Sequence, residues 1–157
     1  MNTSKPLYSP EQRARRDASV WTLVQGILAP IQFLVCLVSL SLVLRYLFTG
    51  NGYELATISV VIKTIFLYLI MLTGSIWEKV VFGKFLFAES FFWEDVFSML
   101  VIFLHTLYLY FLIAGEISQR GLMYIALAAY ASYFINAGQF IYKLRMARLQ
   151  MSKGATA

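Results

Sequence analysis

The sequence predicts an all-α integral membrane protein: a four-helix up-down bundle with both termini in the cytoplasm. Three observations carry this. Of 157 residues, 60% are hydrophobic and 13% charged, with a mean hydropathy of +0.71; a soluble domain has about 45–50% apolar and about 25% charged residues. The chain holds four nearly uncharged stretches, and a spanning helix needs roughly 20 apolar residues. The basic residues fall almost entirely on one side of those stretches. Together these exclude a disordered chain, a water-soluble enzyme and a nucleic-acid-binding domain. The net charge of +5 is then a signal of topology and lipid contact.

The elements follow in order. Ser9-Pro10-Glu11-Gln12 reads as a helix start, with Ser9 as N-cap, Pro10 at the first position and Gln12 closing a capping box, so a short surface helix is expected over 10–18. Between Asp17 and Arg45 lie 27 uncharged residues, giving a helix near 21–44. This stretch is too long for a cleaved signal peptide, and no small-x-small site follows it. Pro30 is expected to kink it, with Gly26 one turn earlier. Cys36, the one cysteine, excludes an intrachain disulfide and cysteine-ligated zinc and reads as a buried small hydrophobe. Thr49-Gly50-Asn51-Gly52 is a tight turn. The second helix, near 55–77, is interrupted only by Lys63, and the third, near 96–114, holds the single histidine, His105. The fourth, near 122–142, is rich in Ala, Ser and Gly, which lets helices approach closely in lipid. Short outer turns make neighbours antiparallel. One membrane domain, 1–157, accounts for the chain.

Orientation rests on ten basic residues: Lys5, Arg13, Arg15, Arg16, Lys79, Lys84, Lys143, Arg145, Arg148 and Lys153. Only Arg45 and Arg120 lie on the other side. The positive-inside rule places the first set, with both termini and the 78–95 loop, in the cytoplasm.

The polar residues gather in the cytoplasmic half. Gln25 and Gln32, the Trp77-Glu78-Lys79 and Trp93-Glu94-Asp95 triplets, and Tyr133, Asn136 and Gln139 stand at one level. Polar groups are costly against lipid, so they either line a wet pocket or form an interfacial belt with helix–helix hydrogen bonds. The 78–95 segment carries Phe82, Phe85, Phe87, Phe91, Phe92 and Trp93. It reads either as an anchoring aromatic belt or as one wall of a pocket for a large flat apolar ligand. His105 lies 11 residues after Glu94, about 20° around the helix and about 16 Å deeper. It can ligate the metal of a tetrapyrrole, carry a proton, or hydrogen-bond another helix. Lys63 either snorkels to the outer interface or pairs with a neighbour such as Tyr108 or Tyr110. Glu78, Glu94 and Asp95 carry the chemical argument. Like charges crowded in a low-dielectric mouth do not all ionise, and a protonated acid beside an ionised one suits general acid–base work. Acidic residues are also common at helix ends.

Several stretches resemble the 3-vinyl bacteriochlorophyllide hydratase family of bacteriochlorophyll biosynthesis: EQRARRD (11–17), WTLVQGILAPIQF (21–33), LVLRY (42–46), IWEKVVFG (76–83), FFWEDVFS (91–98) and NAGQF (136–140). They sample nearly the whole chain. The resemblance implies a membrane hydro-lyase that adds water across the C3 vinyl group of a chlorophyllide to give a 3-(1-hydroxyethyl) pigment. The pigment arrives before its tail is attached, with a free propionate. The resemblance carries over no catalytic set, so the site is inferred from the residues. Glu94 is expected to be the acid, with Glu78 or Asp95 orienting water. His105, Trp77, Trp93, Lys79, Lys84, Asn136, Gln139 and Gln32 are expected to bind substrate. Lys79, Lys84 or Arg13 would pair with the propionate, and His105 is the candidate ligand of the pigment magnesium. No cofactor is expected, the magnesium being part of the substrate. The bilayer, neighbouring pigment-synthesis enzymes and a second copy of the chain are the expected partners, and nucleic acid is not. The alternative is a non-catalytic tetrapyrrole-binding membrane subunit using His105 as axial ligand. A small proton-coupled transporter is a third class, with no polar path evident through the outer half.

Overall fold

A computed structural model describes residues 6–154, with side chains through 149; Lys5 and the Lys153 side chain, counted above, lie outside the described residues. The described residues form five α-helices: α1 Pro10–Ala18, α2 Val20–Thr49, α3 Tyr53–Phe82, α4 Phe92–Ala114 and α5 Gln119–Gly154. All four expected long helices are present, each extending further than the apolar pattern indicated. α2, α3 and α4 are long and apolar enough to cross a membrane. α5 is longer than any of them, with polar residues through its second half.

α1 starts as its sequence predicts. The Ser9 hydroxyl accepts from the Gln12 N–H, and the Gln12 side chain accepts from the Ser9 N–H. Ser19 ends α1 and caps α2, accepting from the Trp21 N–H. Pro30 lies inside α2 without ending it. α3 runs on through Glu78 and Lys79 because charge does not terminate a helix near an interface. Gly83 terminates it, at φ 84°, where a side chain would be strained.

α2 and α3 pack antiparallel: Gln25 donates to Thr73 (2.7 Å), Ser39 meets Ser59 (2.7 Å), and Tyr46 stacks near Tyr53. α4 and α5 do the same through Glu94–Lys143, Ser98–Asn136 and His105–Tyr130. Ser39–Tyr130 joins α2 to α5, and Tyr68–Thr106 joins α3 to α4. Cys36, Val43, Val60, Tyr108 and Met123 belong to the main core. The burial pattern is inverted relative to a soluble protein. Gln32, Lys63, Glu78, Asp95, His105 and Asn136 are buried, while Leu34, Val38, Phe48, Ile65, Phe103 and Ile113 are exposed. Lipid outside and hydrogen-bonding needs inside produce this arrangement.

Lys63 does not snorkel. It is fully buried, with its ammonium 3.6 Å above the Tyr133 ring of α5. Tyr110 is exposed, Tyr108 is buried beside Thr57, and the Lys63 ammonium hydrogen-bonds neither. The outer half is also more polar inside than its sequence suggested: Ser39, Ser59 and Tyr130 form a connected set, and Tyr46 reaches Gln119. Serine and tyrosine on separate helices gave no local sign that they would meet.

Candidate active site

Where the first half of α2, the ends of α3 and α5 and the start of α4 come together, they line a cavity of about 760 Å³. This is within the range of pockets that hold drug-sized ligands. Gln25, Gly26, Pro30 and Gln32 of α2 line it, with Met71, Trp77 and Glu78 of α3, Asp95 and Ser98 of α4, and Tyr133, Asn136 and Phe140 of α5.

The carboxyl groups of Glu78 and Asp95 lie close together in its wall. Like charges crowded in a low-dielectric site do not both ionise cheaply, so this arrangement suits a pair that shares one proton. The loop over residues 83–91 fixes the pair from behind. The Phe87 N–H donates to Asp95 Oδ2 at 2.7 Å, and the Ala88 N–H donates to Glu78 Oε2 at 3.3 Å. Phe87 adopts φ 59°, the left-handed region, which aims these two successive amides at the two acids.

Glu94 sits on the other side of α4. Its carboxylate pairs with Lys143 Nζ at 2.6 Å, and that ammonium also donates to the Ser90 carbonyl. Glu94 is buried but does not line the cavity; it ties the start of α4 to α5 and the loop. The three acids expected to act together thus divide into a pair in the cavity wall and a third held by a cation.

The expected binding residues divide likewise. Trp77 lines the cavity with its indole N–H donated to Thr22, whose hydroxyl donates to the Arg16 carbonyl. Asn136 lines it and donates to Ser98, leaving Oδ1 unpaired, and the Gln32 Oε1 is also unpaired. Trp93 is 68% exposed and away from the cavity. Lys79 donates to the Gly83 carbonyl, Lys84 is exposed, and neither lines the cavity, nor does Arg13 or Gln139. His105 is fully buried, with Nδ1 against the Val101 carbonyl and Nε2 unpaired, and is closed off from the cavity.

The aromatic segment answers to both of its readings. Phe91 lines the cavity, stacks on Phe140 and packs with Trp77, Phe82 and Tyr8. Phe85, Phe87, Phe92 and Trp93 are exposed. Sequence reasoning missed Tyr8, Arg16 and Arg148 at the water side of the cavity. A signal for Arg148 exists: Tyr133, Ala137, Ile141, Leu144 and Arg148 recur at spacings of three and four and all line the cavity. The burial of the Tyr8 ring, which raises the pKa of its hydroxyl, was not legible in a hydrophilic leader.

The family model for 2-vinyl bacteriochlorophyllide hydratase matches residues 8–146. The chain belongs to this family. Two curated relatives carry the same name. The one from Rhodobacter capsulatus is 67% identical over 146 residues, covering 93% of this chain and 85% of the relative. The one from Cereibacter sphaeroides is 68% identical over 146 residues, covering 92% and 90%. No solved structure matches the chain. The family assignment agrees with the resemblance read from the sequence, and the matched residues include every side chain of the cavity wall named above except Arg148.

Proposed function

We propose that this protein hydrates the vinyl group of a chlorophyllide-type pigment in bacteriochlorophyll biosynthesis, as a hydro-lyase. The position is numbered 2 in the older tetrapyrrole scheme and 3 in the current one, so the relatives' printed name and the C3 vinyl group are the same site. The observation that carries the mechanism is the close Glu78–Asp95 pair in the wall of the cavity, each acid held by a backbone N–H of the 83–91 loop. The protonated member gives its proton to the terminal vinyl carbon. The cation left on the inner carbon is delocalised into the macrocycle. Water attacks that carbon, and the other carboxylate takes the water's proton. One proton leaves one carboxyl and one returns to the other, and its passage across the pair restores the starting state. Acid–base help of this kind contributes about 10²–10⁴-fold. The reaction balances without a redox cofactor; magnesium belongs to the pigment. Glu94, the acid expected from sequence, supports the site from outside through Lys143. Arg16 and Arg148, the cations that line the cavity, replace Lys79, Lys84 and Arg13 as partners for the pigment's free propionate.

The same reading takes 1–157 as one membrane domain: a four-helix up-down bundle with α5 as the fourth span, both termini cytoplasmic, in a bacterial cytoplasmic or intracytoplasmic membrane. The antiparallel contacts between helices and the excess of basic residues at one end support it. A non-catalytic binding subunit has less support, because its axial ligand, His105, lies outside the cavity.

The test is to mix membranes containing the protein with chlorophyllide a, without redox cofactor, and weigh the pigment by mass spectrometry. Gain of one water with loss of the vinyl group is expected. Bound but unchanged pigment would overturn the hydratase reading.

A further inference from the structure

The cavity has two kinds of opening, and they differ in chemistry. At the water side stand Arg16 and Arg148. A second opening lies between α2 and α5. Gly26, Ala29 and Pro30 of α2 line the cavity yet are exposed, and so do Ile141 (65% exposed) and Leu144 of α5. A residue that faces both the cavity and the outside marks a gap in the wall. A side-chain carbon added at Gly26 would meet nothing within 4 Å. Phe33–Phe134, Ser39–Tyr130 and Tyr46–Gln119 join the two helices, all from Phe33 outward. α2 and α5 are therefore closed together in their outer halves and parted in their cytoplasmic halves.

The gap is flanked by Leu23, Ile27 and Leu34, all exposed apolar residues on a helix apolar enough to span the bilayer. It thus opens at the depth of lipid tails, not of water. We infer that this slot is the route by which the pigment passes between the cytoplasmic leaflet and the cavity. The slot admits a flat apolar ring edge-on. A ring coming this way keeps its charged edge near Arg16 and Arg148 and never crosses water. Its far edge stops where Phe33 meets Phe134. Small residues at Gly26 and Ala29 leave the width, and Pro30, with no N–H, leaves the Gly26 carbonyl without its helical donor. This inference rests on the pigment-hydratase reading, and its test separates the two.

The test uses Ile27→Cys, at the rim of the slot and outside the cavity lining, in membranes, labelled with a bulky, membrane-permeant reagent that forms a disulfide. Cys36 is fully buried, so labelled wild type serves as the control. Unlabelled Ile27→Cys should hydrate vesicle-embedded chlorophyllide. Labelling should cut steady-state turnover at least tenfold, and a reductant should restore it. Pigment loaded before labelling should still be hydrated once, because the chemistry is intact and only passage is blocked. Ile113→Cys, labelled alike on the lipid face far from the cavity, should keep its rate. Three results overturn the slot: full turnover after labelling, loss of the preloaded single turnover, or an Ile27→Cys that resists labelling because another chain covers it. Failure of the unlabelled wild type to hydrate pigment would instead overturn the hydratase reading itself.

Discussion

At the scale of single residues, the division among three acids is the central result. Glu78 and Asp95 lie close together in the cavity wall, whereas Glu94 faces a cation 2.6 Å away. Their variants should therefore differ in kind. Glu78→Gln and Asp95→Asn should each fold, bind pigment and lose about 10²–10⁴-fold in kcat, measured by hydration in membranes. Glu94→Gln should keep turnover within tenfold. It should instead lower the melting temperature, by less than the about 3–5 kcal/mol that loss of one partner costs in a fully buried pair, because Lys143 is partly exposed. A Glu94→Gln that melts normally but does not turn over would return the acid's role to Glu94. The sequence indicated three acids at one membrane level and could not sort them. The sorting depends on Lys143, 49 residues away on another helix, and no local pattern in a chain encodes which cation reaches which acid.

At the scale of elements, the helices were legible and their ends were not. Charged residues bounded the apolar cores in the sequence, but the chain ends helices by backbone conformation, as at Gly83. The 83–91 loop was legible as aromatic and illegible as a scaffold, because its function lies in two backbone N–H groups. Phe87 holds the left-handed conformation that aims them. A non-glycine residue there costs about 1–3 kcal/mol, which the surrounding contacts must offset. Phe87→Gly keeps the N–H and relieves the strain, so turnover should stay within a few-fold of wild type. Phe87→Pro can adopt neither the angle nor the hydrogen bond, and turnover should fall at least tenfold with the helices still present by circular dichroism. Equal activity in the two variants would show that the loop does not position the carboxyl pair.

At the scale of the whole molecule, the first and the last of the described helices meet at one place. α1 brings Arg16, and the last turns of α5 bring Arg148, to the same cavity. The apolar pattern stopped the fourth helix near 142, because hydropathy reports apolar surface and the turns beyond 142 are rich in polar residues. Those turns are where a membrane enzyme can hold the charged edge of an apolar substrate. Arg16 also pairs with Asp17 and lies over the Tyr8 ring, so its guanidinium is already oriented before any substrate arrives. A hydrogen bond to a charged group contributes about 1.5–3 kcal/mol, or roughly tenfold or more in affinity. Replacing both arginines by alanine should therefore raise KM for the free-acid pigment at least tenfold and leave kcat within a few-fold. The decisive comparison is with the pigment's methyl ester, which has the same ring and vinyl group but no carboxylate. Wild type should bind the ester about as poorly as the double variant binds the acid, and the double variant should bind acid and ester alike. If the double variant still prefers the acid, the propionate is held elsewhere, and Lys79 and Lys84 become the next residues to replace.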